Sequence, residues 1–173
     1  ERLGALKELF GVMQQVAGDA RSRFDNSLTN VQFPNRTNFL EGLAKKLGSS
    51  SKLPSIDEIE KLWFELQREM TETGKVVKFS TDVIDIQGSK SQTKVVRVGA
   101  FNIVADGKYL NYEPTTGNVS EIPRQPEGRR YTSSTSELFN STEGKVVFGL
   151  DPTLGGVLSS LVARPNLIER IQQ

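Results

Sequence analysis

The chemistry open to this chain is bounded first by two missing residue types. Among 173 residues there is no histidine and no cysteine. That removes the thiolate nucleophile, the imidazole base, Ser-His-Asp and Cys-His catalysis, and zinc or iron–sulfur sites built on those ligands. Serine–lysine dyads and carboxylate pairs remain. Ser49-Ser50-Ser51-Lys52 has the S-x-x-K spacing of penicillin-recognising serine enzymes, but that chemistry needs the pair on the first turn of a helix with a K-T-G strand beside it. Here the stretch is a loop running into Pro54, and no K-T-G occurs. Asp82 and Asp85 lie three apart on an expected strand, so they point to opposite faces. Asp57 and Glu58 fall in the first turn of an expected helix, where capping uses them. Neither a P-loop nor a dinucleotide fingerprint is present. The expectation is a non-catalytic protein with no cofactor and no metal.

Binding chemistry is what is left. Arg124, Arg129 and Arg130, with Tyr131 beside them, form the only local basic cluster. It suits an anionic partner such as a glycan, a lipid head group or an acidic protein patch, and a solvated loop is the alternative. Lys+Arg 22 against Asp+Glu 21 gives a net charge of +1, which argues against a nucleic-acid partner. Apolar runs are only a few residues long, so no membrane span is expected within this chain.

The elements that would position these residues change character near Gly74. Before it the apolar period is helical. Leu3, Phe10, Ala17 and Phe24 recur every seven residues, with Leu6, Met13 and Ala20 at the other seam position. This is an a/d stripe, fitting either an amphipathic core helix or a coiled coil. No capping residue precedes Leu3, so the helix is expected to continue a longer one. Residues 36–47 carry Phe39, Leu40, Leu43 and Leu47 and end at Gly48. Ser55-Ile56-Asp57-Glu58 is a capping box opening a helix over 55–73, with a second stripe of Ile56, Ile59, Trp63, Leu66 and Met70.

After Gly74 the period becomes two, reading as strand. Strands are expected around Val77–Val83, Val95–Val104 and, after the hairpin signal Asp106-Gly107, Lys108–Tyr112 and Asn118–Ile122. Together they make a four-strand antiparallel meander over about 76–122. Residues 123–144 read as a long loop with a short helix near Glu137, and 145–148 as an added strand. Pro152 and Pro165 are expected to open helices over about 152–173. The fold class is therefore α+β: an N-terminal coiled-coil-like segment and helices packed on an antiparallel β-meander, with short C-terminal helices. The expected division is a helical arm at 1–33 and an α+β domain at 34–173. Trp63 and Leu66 are expected to face the sheet, since a half-apolar sheet needs a cover.

Four stretches resemble one family: VAGDARSRFDNSLTN (16–30), LPSIDEIEKLWFELQREMTETGKVVKF (53–79), VVRVGAFNIVADGKYLNYEPTTG (95–117) and EIPRQP (121–126). They are similar to the periplasmic N-terminal region of the long MotA/TolQ/ExbB-type proton-channel proteins, which include the TtpC-like accessory components of some TonB systems. The order of elements also resembles a family of secreted periplasmic proteins of unknown function often found in the same systems. The resemblance implies a signal peptide and long coiled coil before position 1, and a membrane helix and channel domain after Gln173. It further implies a periplasmic location in an inner-membrane protein of a Gram-negative bacterium, and a role in outer-membrane transport of large ligands such as iron–siderophore complexes. ExbB-, ExbD- and TonB-like proteins are the implied partners. No proton-pathway residue carries over, because the channel helices are not in this chain. Two functions follow as expectations. One is an interaction domain contacting its partners, or a second copy, through Leu3, Leu6, Phe10 and Met13 of the first helix. The other is a peptidoglycan- or glycan-binding anchor using Arg124, Arg129, Arg130 and Tyr131.

Overall fold

A computed structural model describes residues 2–49 and 53–163. The chain divides into two compact units, residues 1–74 and 75–173.

The first unit is helical: α1 (Arg2–Asp25), a 3-10 turn (Leu28–Val31), α2 (Asn35–Ser49) and α3 (Ile56–Glu72). From Met13 onward the α1 seam is buried. Met13, Ala17, Ala20 and Phe24 pack on Leu40, Leu43 and Leu47 of α2 and on Leu62 of α3. The small side chains of Ala17 and Ala20 let two helix backbones approach closely, so this half of the heptad is an intramolecular core. The division expected after residue 33 therefore falls inside the unit, since α1 and α2 share one core.

A polar network is buried in the same unit. Glu69 of α3 accepts from Ser27 Oγ (2.6 Å) and Thr29 Oγ1 (2.5 Å) in the 3-10 segment. Arg36, on the first turn of α2, reaches Glu69 Oε2 with Nη1 (2.6 Å) and Thr29 Oγ1 with Nη2 (2.5 Å). Its guanidinium lies 4.2 Å from the centre of the Phe24 ring. Arg36 is fully buried, and its charge is tolerated there because Glu69 balances it and oxygen acceptors bind Nη1 and Nη2, while Nε stays without a hydrogen-bond partner among the described residues.

The second unit holds β1 (Val76–Ile84), β2 (Lys90–Val98), β3 (Asn102–Ala105), β4 (Lys108–Glu113) and β5 (Asn118–Glu121), then α4 (Arg129–Asn140) and α5 (Gly156–Ala163). Each strand pairs antiparallel with the next. The end of β1 then pairs parallel with β5, Val83 with Val119 and Ile84 with Ser120. The expected open meander is thus a closed five-strand barrel. Closure removes the edges that an open sheet would leave unpaired. The expected single strand at Val95–Val104 is two strands, turned at Gly99, whose φ of 57° is in the left-handed region.

Three further expectations change. Much of the 123–144 loop is α4, which packs on β2, β3 and β4. Its buried positions are Ser134 and Thr135, whose hydroxyls donate to the carbonyls of Tyr131 (2.7 Å) and Thr132 (2.7 Å). Those hydroxyls are satisfied locally, so they sit in the core without an apolar period to announce them. Residues 145–148 form no strand; Phe148 packs against Tyr109 with ring centroids 5.6 Å apart. A helix opens at Gly156 rather than Pro152, after Leu154 and Gly155 take positive φ. The helix expected from Pro165 lies outside the described residues. Since a five-strand barrel has no room for a helix, the Val96, Val104 and Tyr109 face under α4 is its outside. Arg97, Ile103 and Leu110, paired directly across the ladder, share the other face.

Candidate functional site

The most unusual surface in the helical unit is on α3. Three ties hold this helix in place. At its start Ser55 Oγ accepts from Glu58 N (3.2 Å) while Glu58 Oε2 accepts from Ser55 N (2.7 Å), the capping box expected from the sequence. Glu58 also pairs with Lys46 of α2 (2.7 Å). The Lys46 ammonium, and then the Ser55 N–H, hold its carboxyl below the usual value of 4.5. In the middle Leu62 is buried in the core, and buried Glu65 pairs with Arg68. Near the end Glu69 is bound to Arg36.

These ties fix which face looks outward, and it is an apolar one. Ile56, Ile59, Trp63 and Met70 of the stripe are exposed, Trp63 by 63% and Met70 by 70%. Phe64 beside them is exposed as well, and only Leu66 packs against the core. Trp63, expected to be packed, is thus exposed, and Leu66, expected to face the sheet, packs in the helical core. The helix buries the neighbouring flank, where Leu62 and Glu65 lie, and the cover over the barrel is α4. At 1.5 Å per residue the stripe from Ile56 to Met70 runs about 21 Å. Isolated exposed apolar residues are ordinary, whereas several on one helix face are less so.

The expected contact residues of α1 are placed differently. The side chains of Leu3 and Leu6 lie outside the described residues. Phe10 is half-buried at the rim of the helical core, and Met13 is within that core. Met13 is therefore unavailable to a partner, because its seam position faces α2.

The basic cluster is partly assembled. Arg129 and Arg130 are exposed on the first turn of α4, and Gly128 gives that helix no side-chain cap. Arg130 lies 4.8 Å from the centre of the Tyr131 ring and donates to its hydroxyl (2.9 Å). Arg124 is half-buried in the segment that joins β5 to α4. Tyr131 instead borders a cavity of about 420 Å³, lined also by Tyr109, Pro126, Leu150, Pro152 and Leu158. Tyr109 donates its hydroxyl to Gly149 O (2.6 Å), and burial pushes its pKa up. A Cβ at Gly149 would come within 2.7 Å of the Tyr131 ring and 2.9 Å of the Tyr109 hydroxyl, so this close approach needs glycine. Burial raises the Asp151 carboxyl, but hydrogen bonds from Thr153, Leu158 and Gly155 outweigh it and leave the pKa lowered. Those bonds saturate Asp151, which serves as the cap of α5 rather than as a reactive group.

Among the described residues no three Asp or Glu side chains converge to hold a metal ion, and no helix is long and apolar enough to cross a membrane. Neither a family model, nor a curated protein, nor a solved structure matches the chain.

Proposed function

We propose that this chain is a non-catalytic periplasmic interaction domain of an inner-membrane TonB/ExbB-type energy-transduction complex, supporting outer-membrane transport such as iron–siderophore uptake. The observation that carries the interaction reading is the uncovered apolar face of α3, held outward by ties at both helix ends. The sequence stretches at 16–30, 53–79, 95–117 and 121–126 support the choice of complex. A photo-crosslinking side chain at position 63 of the full-length protein, activated in cells, is expected to yield covalent products with an ExbB-, ExbD- or TonB-like protein. Normal protein levels with none of those products would overturn the reading.

A second reading rests on one observation in the barrel unit. Two arginines stand at the positive end of an uncapped helix, one of them stacked on a tyrosine that borders a cavity. That arrangement suits a peptidoglycan anchor, with the anionic groups of the polymer at Arg129 and Arg130 and a sugar ring on Tyr131. Co-sedimentation with purified peptidoglycan, lost in Arg129→Glu/Arg130→Glu, would favour it over the first.

A further inference from the structure

We infer that the exposed face of α3 receives a basic amphipathic helix of a partner protein, an inference that rests on the interaction reading and names its partner chemistry. The spacing of the exposed residues is helical. Of the 3–4 stripe, Ile56, Ile59, Trp63 and Met70 stay exposed, at steps of three, four and seven residues, one helical face along which two helices can pair. A strand or loop has no matching period, and a run of about 21 Å asks for about four helical turns from the occupant.

The charge of α3 is acidic. The helix carries six carboxylates, Asp57, Glu58, Glu60, Glu65, Glu69 and Glu72, against Lys61 and Arg68. Glu58, Glu65 and Glu69 are engaged with Lys46, Arg68 and Arg36. Lys61 lies over the Phe39 ring of α2 at 4.4 Å, and Arg68 over Phe33 at 4.4 Å. Both cations of α3 are thus held by ring faces or carboxylates within the unit. Asp57 and Glu60 are exposed. Glu60 stands four residues after Ile56 and three before Trp63, on the rim of the seam. An occupant with Lys or Arg flanking its apolar seam meets opposite charge there. A second copy of α3 would bring the same carboxylate excess against itself, and like charges across an interface are selected against. Such a rim sets partner choice and association rate more than total affinity.

Trp63 is the only tryptophan in the chain, so its fluorescence reports occupancy of the seam directly. The probes are two tryptophan-free helical peptides of about four turns with leucine seams, one flanked by lysine and one by glutamate. The lysine peptide is expected to blue-shift Trp63 and shield it from acrylamide, while the glutamate peptide binds far more weakly. Asp57→Lys/Glu60→Lys should weaken the lysine peptide by about tenfold and favour the glutamate one. Glu60→Lys alone, outside the first turn, serves the same purpose if the double variant loses helical circular dichroism. Equal binding of both peptides, or indifference to these substitutions, overturns the inference while leaving the interaction reading in place. Protection of Trp63 that grows with protein concentration alone overturns it in favour of a second copy. No protection by either peptide overturns it as well, and the crosslinking experiment at position 63 then decides whether the interaction reading falls with it.

Discussion

The two units treat polar and apolar side chains in opposite ways. In the helical unit the regular stripe of α3, Leu66 apart, faces water, while Arg36 and its partners Thr29 and Glu69 form a network at the core. In the barrel unit the strands bury side chains on both faces, and their helical cover, α4, turns Ser134 and Thr135 inward. The difference separates periodicity from burial. A 3–4 stripe says that a helix has an apolar side, and tertiary ties at its ends decide whether that side meets the core. A hydroxyl that bonds its own helix carbonyl can be buried with no stripe at all.

The sharpest way to break this contrast is to remove the acid that balances Arg36. Glu69→Ala leaves a buried guanidinium without its counter-charge and is expected to cost about 3–5 kcal/mol in urea unfolding followed by circular dichroism. A loss near zero would mean that the network contributes nothing to holding α2 and α3. Next in size is a pair of neighbours on α3. Leu62→Ala should cost about 2–4 kcal/mol, whereas Trp63→Ala, one residue on but exposed, should cost less than about 1 kcal/mol. Equal losses would place Trp63 in a core. Within the barrel unit, Thr135→Val removes one satisfied hydroxyl and should cost about 1 kcal/mol; a stabilised variant would show that the hydroxyl is dispensable under α4.

The smallest effect is a pH dependence. Glu58 is held below its ordinary 4.5 by Lys46 and by the Ser55 amide. Its contribution to stability is therefore complete above the unfolded pKa and is lost as pH falls through the lower folded value. Urea midpoints measured downward from pH 5 should fall more steeply in the native chain than in Glu58→Gln. Parallel slopes would mean that the capping box and the Lys46 pair carry no stability.

Much of this architecture is legible in the sequence. The capping box at Ser55–Glu58 and the Asp106-Gly107 hairpin are local signals, and both are realised, whereas Gly48, expected to end α2, is still helical. What is not legible depends on distant partners. The barrel closes through Val83 and Val119, thirty-six positions apart, which no local pattern encodes. The turn at Gly99 is hidden between two runs of β-favouring residues, because one glycine in a strand reads equally as a bulge. Arg36 looks like a solvated helix residue until Phe24, Thr29 and Glu69 converge on it. The α3 stripe is visible as a stripe, but its exposure is not, since the sequence does not say that Leu62 and Glu65 fill the inward flank. The Arg129–Tyr131 cluster is legible as charge, while the cavity beside Tyr131 appears only when Gly149 and Tyr109 are brought to it.

Acrylamide quenching of Trp63 in the free protein reports whether the apolar face of α3 is open to solvent. With a single tryptophan there is one emitter to interpret. The exposed indole is expected to show emission typical of a hydrated ring and a quenching constant close to that of the same protein unfolded in urea. A blue-shifted emission that resists acrylamide at low protein concentration would show that this face of α3 is already covered.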